Sequence, residues 1–173
     1  MTILYIYSDG DTVAERPGRD RWPKSTFGEV VRWGCRSAAQ FVSVLNHQLA
    51  TQQRFQHVEI RTHGAPGLIG FGRDDIDIGF WLRSAARIQT GLCVPGGVVH
   101  FSGCNVGEGQ EGWGFMEGAA AFWLKGAGGR VSAWRSVGFS DAFFGTGQVW
   151  HPTGGHRTLW VDANGRYLRR ADG

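Results

Sequence analysis

The chain has no run of apolar residues approaching the roughly 20 that a membrane-spanning helix needs. It also lacks the dense basic stretch that marks a nucleic-acid surface, since Arg166, Arg169 and Arg170 read as a solvated tail. A net charge of +3 and an isoelectric point near 9.0 are too mild to change this. Neither a membrane partner nor a nucleic-acid partner is therefore expected. Cysteine is scarce: Cys35, Cys93 and Cys104 are odd in number and without CxxC spacing. That argues against a disulfide framework or structural zinc site, and for reduced thiols in a cytoplasmic protein. The start MTILYIYSDGD lacks a charged leader and a cleavage site, so it reads as a first strand and not as a signal peptide. No HxxxH or HxH pair is present, and Asp74, Asp75 and Asp77 do not follow the spacing of calcium loops. Gly107, Gly109 and Gly112 match GxGxxG, but they follow a cysteine-bearing strand with no acidic partner about 20 residues on, which argues against a nucleotide site. No metal or other cofactor is expected. There is no internal repeat or low-complexity tract.

At 173 residues, the chain suits one domain spanning 1–173 with its own core. Hydrophobic residues at 42% and charged residues at 19% are an ordinary globular balance. The 28 glycines imply many tight turns and open loops. Among the tryptophans, Trp22, Trp33, Trp113 and Trp150 either line a groove or cover the core.

The element order follows from periodicity. Residues 3–7, ILYIY, predict a central strand ending in the polar turn Ser8-Asp9-Gly10-Asp11. Residues 12–34 contain Pro17, Gly18 and Pro23 and read as a loop, with room for a short turn of helix or strand from Glu29 to Trp33. From Ser37 to Gln52, the positions of Ala38, Phe41, Val42, Leu45 and Leu49 predict an amphipathic helix. A strand over His57–Thr62 runs into His63-Gly64, followed by a small hairpin over 68–72 and 75–78. A second helix is predicted from Phe80 to Thr90, a buried strand from Val98 to Phe101, a third helix from Trp113 to Lys125, and a strand from Arg130 to Trp134. The chain closes with a hairpin around Asp162-Ala163-Asn164-Gly165. Strand and helix in alternation predict an α/β fold: an open, mostly parallel sheet with helices on both faces, plus a C-terminal hairpin. In such sheets chemistry gathers at the carboxyl ends of the strands.

Two of those ends stand out. The Val98 strand ends in Ser102-Gly103-Cys104, and the His57 strand ends in His63-Gly64. Side by side and parallel, they would bring a cysteine and a histidine to one edge of the sheet. A thiol with a pKa near about 8.5 is only a few per cent thiolate at neutral pH, and an adjacent imidazole is the usual remedy. A lone cysteine at a strand end is more often a small buried hydrophobe. The His63-Gly64 turn sets Cys104 apart from Cys35 and Cys93, which read as structural.

On these residues the sequence resembles the caspase-like cysteine peptidases, the group that holds caspases, legumains, clostripain, gingipains and separases. The pattern from His63 to Gly114 is most similar to bacterial caspase-like domains: a His-Gly turn, a hairpin, a helix, an apolar strand ending in Gly-Cys, then Gly-x-Gly and a helix. The resemblance covers residues 56–136, and residues 3–50 share only element order. It implies a three-layer caspase-like fold and an endopeptidase acting on a protein or peptide substrate. Cys104 would be the nucleophile and His63 the proton-transfer partner, with the backbone N–H groups of Gly64 and Cys104 as oxyanion hole. It places the primary specificity pocket at Asp9, Asp11 and the segment Trp134-Arg135-Ser136. No Gln-Ala-Cys precedes a glycine here, so caspase specificity for Asp is not implied. The two carboxylates favour a basic residue before the cut, while Arg135 favours an acidic one; the balance leans to basic. A catalytically silent binding module is the alternative, and a thiol acyltransferase or transpeptidase would share the same pair.

Overall fold

Strand β1 (Thr2–Ser8) is apolar on both faces, with Ile3, Leu4 and Ile6 fully buried and Tyr5 nearly so. A strand of that kind belongs inside a sheet covered on both sides. The computed structural model describes residues 2–9, 28–137, 139–140, 149–150 and 155–173. After β1 come β2 (Glu29–Cys35), α1 (Ala38–Thr51) and β3 (Phe55–Arg61). A small antiparallel meander follows: β4 (His63–Ala65), β5 (Leu68–Phe71) and β6 (Asp74–Ile76). Then come α2 (Ile78–Ala86), β7 (Cys93–Phe101), α3 (Gly109–Trp123) and β8 (Gly129–Trp134). A short pair, β9 (Phe139–Ser140) and β10 (Val149–Trp150), precedes β11 (His156–Val161) and β12 (Tyr167–Asp172).

The main sheet has seven strands in the order β2-β1-β3-β7-β8-β11-β12. The first five are mutually parallel, and β11 and β12 close the sheet as an antiparallel hairpin. Every crossover among the parallel strands after β2 steps in the same direction along the sheet. Right-handed connections then place their helices on one face. That is the arrangement found: Phe101 of β7 meets Trp81 of α2 at 6.0 Å and Phe115 of α3 at 4.9 Å. Phe41 of α1 lies 4.9 Å from Phe71 and 6.0 Å from Trp81. Leu4, Val58, Val99 and Val131 are register neighbours that line this face, as are Ile6, Ile60, Phe101 and Ala133. The β1-to-β2 connection is the one that steps the other way. It lies outside the described residues; the three described helices all lie on the first face, so helices on both faces are not seen among the described residues. On that face the described residues from β3 to β11 include the polar group His57, Glu59, His100, Ser132 and Thr158, flanked by Val98, Trp134 and Trp160.

Local chemistry explains where elements differ from the sequence pattern. Helix α1 runs as predicted because Ser37 caps it, its side chain accepting from the Gln40 N–H at 3.2 Å. Helix α2 begins at Ile78, earlier than expected, because the Asp77 carboxylate accepts from the Phe80 N–H at 2.9 Å. The strand read through Ile78 therefore stops at Ile76. Helix α3 begins at Gly109 and not at Trp113, its first turn hidden by glycines. Gly112 is needed there, since a Cβ on it would lie 2.8 Å from the Gly107 Cα. Strand β2, read mostly as loop, is a full edge strand in parallel register with β1. The closing turn is built by Asp162, whose Oδ1 accepts from the N–H groups of Asn164 and Arg166 at 2.9 and 2.8 Å. Among the described residues no helix is long and apolar enough to cross a membrane.

Trp81 sits at the centre of the aromatic core, fully buried against Phe41, Phe101, Phe115, Phe122 and Trp123. Trp81→Ala is expected to lower unfolding stability by about 3–5 kcal/mol. Leu82→Ala, at a side chain 52% exposed, is expected to change it by less than about 0.5 kcal/mol. Urea denaturation of both variants checks the difference.

Candidate active site

The site is assembled where β3 and β7 leave the sheet. Their parallel pairing runs to Ile60 and Phe101, and the Ser102 N–H extends it by donating to the Ile60 carbonyl at 2.8 Å. Thr62-His63-Gly64 and Ser102-Gly103-Cys104 are therefore brought together. A Cβ on Gly64 would lie 2.8 Å from the Cys104 carbonyl oxygen and 3.2 Å from the Gly103 Cα. One on Gly103 would lie 3.2 Å from the Thr62 carbonyl oxygen. Only two glycines let these backbones approach so closely.

The chain turns sharply after Cys104. Asn105 has φ +58°, a left-handed conformation that a residue other than glycine adopts uncommonly. The turn is tied down on both sides. The Asn105 N–H donates to the Ser136 carbonyl at 3.1 Å, and the Gly107 N–H to the Trp134 carbonyl at 2.8 Å. From the meander, the Gly67 N–H reaches the Val106 carbonyl at 3.1 Å. Val106 itself is fully buried. Gly107 thus serves close packing against β8 and α3.

Beside this junction lies a cleft of about 800 Å³, lined by Ser8, Asp9, Arg36, His63, Gly64 and Asp75 among others. His63 is exposed, whereas Cys104 is half-buried and is not one of the residues lining the cleft. Asp9 accepts from Arg36 Nε at 2.8 Å, and its N–H donates to the Cys35 carbonyl at 2.9 Å. Arg36 went unnoticed in the sequence, and Asp75 was considered there only as a calcium ligand. Recognising β2 as a strand parallel to β1 would have placed Arg36 beside Asp9 at the same sheet edge.

The other expected pocket residues divide. Asp11 lies outside the described residues, as does Trp22; of Trp150 only the backbone is described. Ser136 is buried, with its carbonyl on the Cys104 turn. The Arg135 guanidinium is 3.7 Å from Asp172, a carboxylate it shares with Arg157 at 2.8 Å. The Trp134 ring lies on His156, the centroids 3.5 Å apart. Trp113 packs into the core beneath the guanidiniums of Arg157 and Arg170, 4.5 and 4.7 Å from its ring centre.

The three cysteines have different surroundings. Cys35 is fully buried, and burial with Asp9 nearby pushes its pKa up to about 11. Cys93 is 2% exposed, and burial pushes it up to about 12 against the pull of Arg54. Both stay protonated and enclosed at neutral pH. Among the described residues no three His, Cys, Asp or Glu side chains are placed to hold a metal ion. Two of the three aspartates from 74 to 77 have structural partners: Asp74 accepts from the Ala38 N–H at 3.0 Å, and Asp77 caps α2. Comparison with protein-family models, with curated proteins and with solved structures finds no match for this chain.

Iodoacetamide applied to the native protein at pH 7.5 is expected to modify Cys104, leaving Cys35 and Cys93 unmodified until denaturant is added; peptide mass spectrometry reads the order. Equal modification of all three would contradict these surroundings. Gly64→Ala is expected to cost about 1–3 kcal/mol, because the backbone of Cys104 must shift to admit a methyl group. Gly70→Ala, where the nearest atom would be 3.6 Å away, serves as the tolerated control in the same denaturation series.

Proposed function

We propose that the chain is a cysteine endopeptidase of the caspase-like type, in which Cys104 attacks the scissile carbonyl and His63 moves the proton. The observation that carries this reading is the contact between the His63-Gly64 turn and the Gly103-Cys104 turn at the carboxyl ends of adjacent parallel strands. In the first half-reaction the sulfur forms a bond to the carbonyl carbon, and His63 delivers a proton to the departing amine. In the second, His63 takes a proton from water, which displaces the thiol and frees the carboxylic acid product. The backbone N–H groups of Gly64 and Cys104 are the assigned donors to the oxygen that gains charge; removing such a donor typically costs about 2.7–4 kcal/mol of barrier in serine peptidases. The finer architecture, a three-layer sandwich with helices also on the second face, belongs to the same reading. Three free cysteines fit a reducing, cytoplasmic setting.

Charge in the cleft favours a basic residue before the cut. Among the described residues Asp9 and Asp75 line it with one cation, Arg36, which is already engaged by Asp9. Arg135, the residue that favoured an acidic substrate, is directed to Asp172. The alternative, a binding module without turnover, is favoured by one observation: Cys104 does not line the cleft that His63 lines.

Peptidyl acyloxymethyl ketones carrying Arg or Asp next to the warhead separate the two readings. The Arg probe is expected to add to Cys104 about tenfold or more faster than the Asp probe, a difference of about 1.4 kcal/mol. His63→Ala is expected to slow addition about 10²-fold or more, Cys104→Ala to abolish it, and Asp9→Asn to narrow the Arg preference. If iodoacetamide modifies Cys104 while neither ketone does, the peptidase reading fails and the binding module remains.

A further inference from the structure

The sheet face opposite the helices carries a cluster that the proposed chemistry does not use. Glu59 and His100 are register partners in β3 and β7, His100 and Ser132 in β7 and β8, and Trp134 and His156 in β8 and β11. Their contacts are specific. Ser102 Oγ donates to Glu59 Oε1, and His57 Nε2 is 3.4 Å from Glu59 Oε2. His100 Nδ1 is 2.8 Å from Ser132 Oγ. The His100 ring meets Trp134 edge-on at 6.0 Å and His156 at 5.2 Å, and Trp134 lies on His156. A cavity of about 410 Å³, lined by His57, Glu59, His100, Ser132 and His156 among others, opens over the group.

This cluster grips the Cys104 turn at both ends. Ahead of Cys104, Ser102 is anchored on Glu59 by its hydroxyl and on Ile60 by its N–H. Beyond it, Gly107 hangs on the carbonyl of Trp134, the residue whose ring is held by His100 and His156. Asn105 hangs on Ser136, two residues further along the same segment.

We propose that the Glu59, His100, Trp134 and His156 cluster is a positioning device that holds the Cys104 turn closed near neutral pH and releases it on acidification. The importance of the turn rests on the reading of Cys104 as nucleophile. The physical reason lies in the packing of His100, half-buried between Ser132, Trp134 and His156 beside the Glu59 carboxylate. Burial pulls its pKa down, Glu59 opposes that, and His57 adds to it. Charging His100 in place is therefore unfavourable, whereas a loosened cluster exposes the ring to water. Below the ordinary histidine pKa of about 6.5, the open form binds a proton that the closed form refuses, so falling pH shifts the equilibrium to the open form. Charging His156 as well would set two cations side by side. Burial works against the Glu59 carboxylate, but His100 and hydrogen bonds from His57 and Ser102 hold its pKa below the usual range, so it stays ionised. Among the described residues, the other ionisable groups on this face are Tyr5 and Tyr7 from β1, Arg32 from β2, His57 and Arg61 from β3, Arg130 from β8, His156 from β11 and Arg169 from β12.

Hydrogen exchange at the Asn105 and Gly107 amides reads the turn directly, with α1 amides as the control for global folding. After correction for intrinsic rates, the wild type is expected to lose about tenfold or more of its protection at these amides between pH 7.5 and 5.5. His100→Gln is expected to lose it at both pH values. His156→Phe keeps an aromatic ring on Trp134 without a charge, and is expected to retain protection at pH 7.5 and lose less on acidification. Thr158→Val, in the same cavity but outside the cluster, is expected to behave as wild type. No acid response in the wild type, or the same response in His156→Phe, overturns the proposal. Should the α1 amides show that His100→Gln fails to fold, His156→Phe decides alone. Exchange requires no turnover: the expected pattern without ketone adducts keeps the positioning device and sinks the peptidase, and His63-dependent adducts without the pattern do the reverse.

Discussion

The lateral pairing of β3 with β7 is the constraint on which the rest depends. Five parallel strands could carry a cysteine and a histidine at many separations, but these two strands are neighbours. Their register continues to the Ser102–Ile60 hydrogen bond, one residue before the glycine turn begins. Gly64 then lies against Gly103 and Cys104 with no room for a side chain between them. The sheet is rigid because its helix-facing side is packed with large apolar groups, and a rigid sheet fixes the positions of its loop ends.

The two faces of the sheet do different work. On one, Phe101, Trp81, Phe115 and Trp123 bury apolar surface and supply stability. On the other, Glu59, His100, Ser132 and His156 form directional contacts that contribute less to stability than to placement. Strand β7 and the residue after it serve both: Phe101 lies in the core, while His100 and Ser102 join the polar cluster. Alternation along one strand thus links the core to the turn that carries Cys104.

Much of this was legible in the chain. Helical spacing in 38–49, short apolar runs at 3–7 and 98–101, and the Asp162 turn were enough to order the elements and to place His63 and Cys104 at strand ends on the same edge. What escaped notice depended on tertiary pairing. Strand β2 carries no alternating pattern because it is a half-exposed edge beside an all-apolar β1, and so Arg36 and its contact with Asp9 were invisible. The Glu59–His100 pairing depends on register between segments about 40 residues apart, which no local pattern encodes. The backbones of Trp134 and Ser136 lie against the Cys104 turn, but stacking on His156 and pairing with Asp172 decide where the Trp134 and Arg135 side chains go.

The central claim, that the paired turns form a peptide-cleaving site, is tested most directly by products. Incubating wild type and Cys104→Ala with a denatured bacterial proteome, then sequencing newly exposed amino termini, reports cleavage and its specificity together. The account predicts new termini that follow Arg or Lys and that vanish with Cys104→Ala. Identical sets of termini from the two proteins would contradict it.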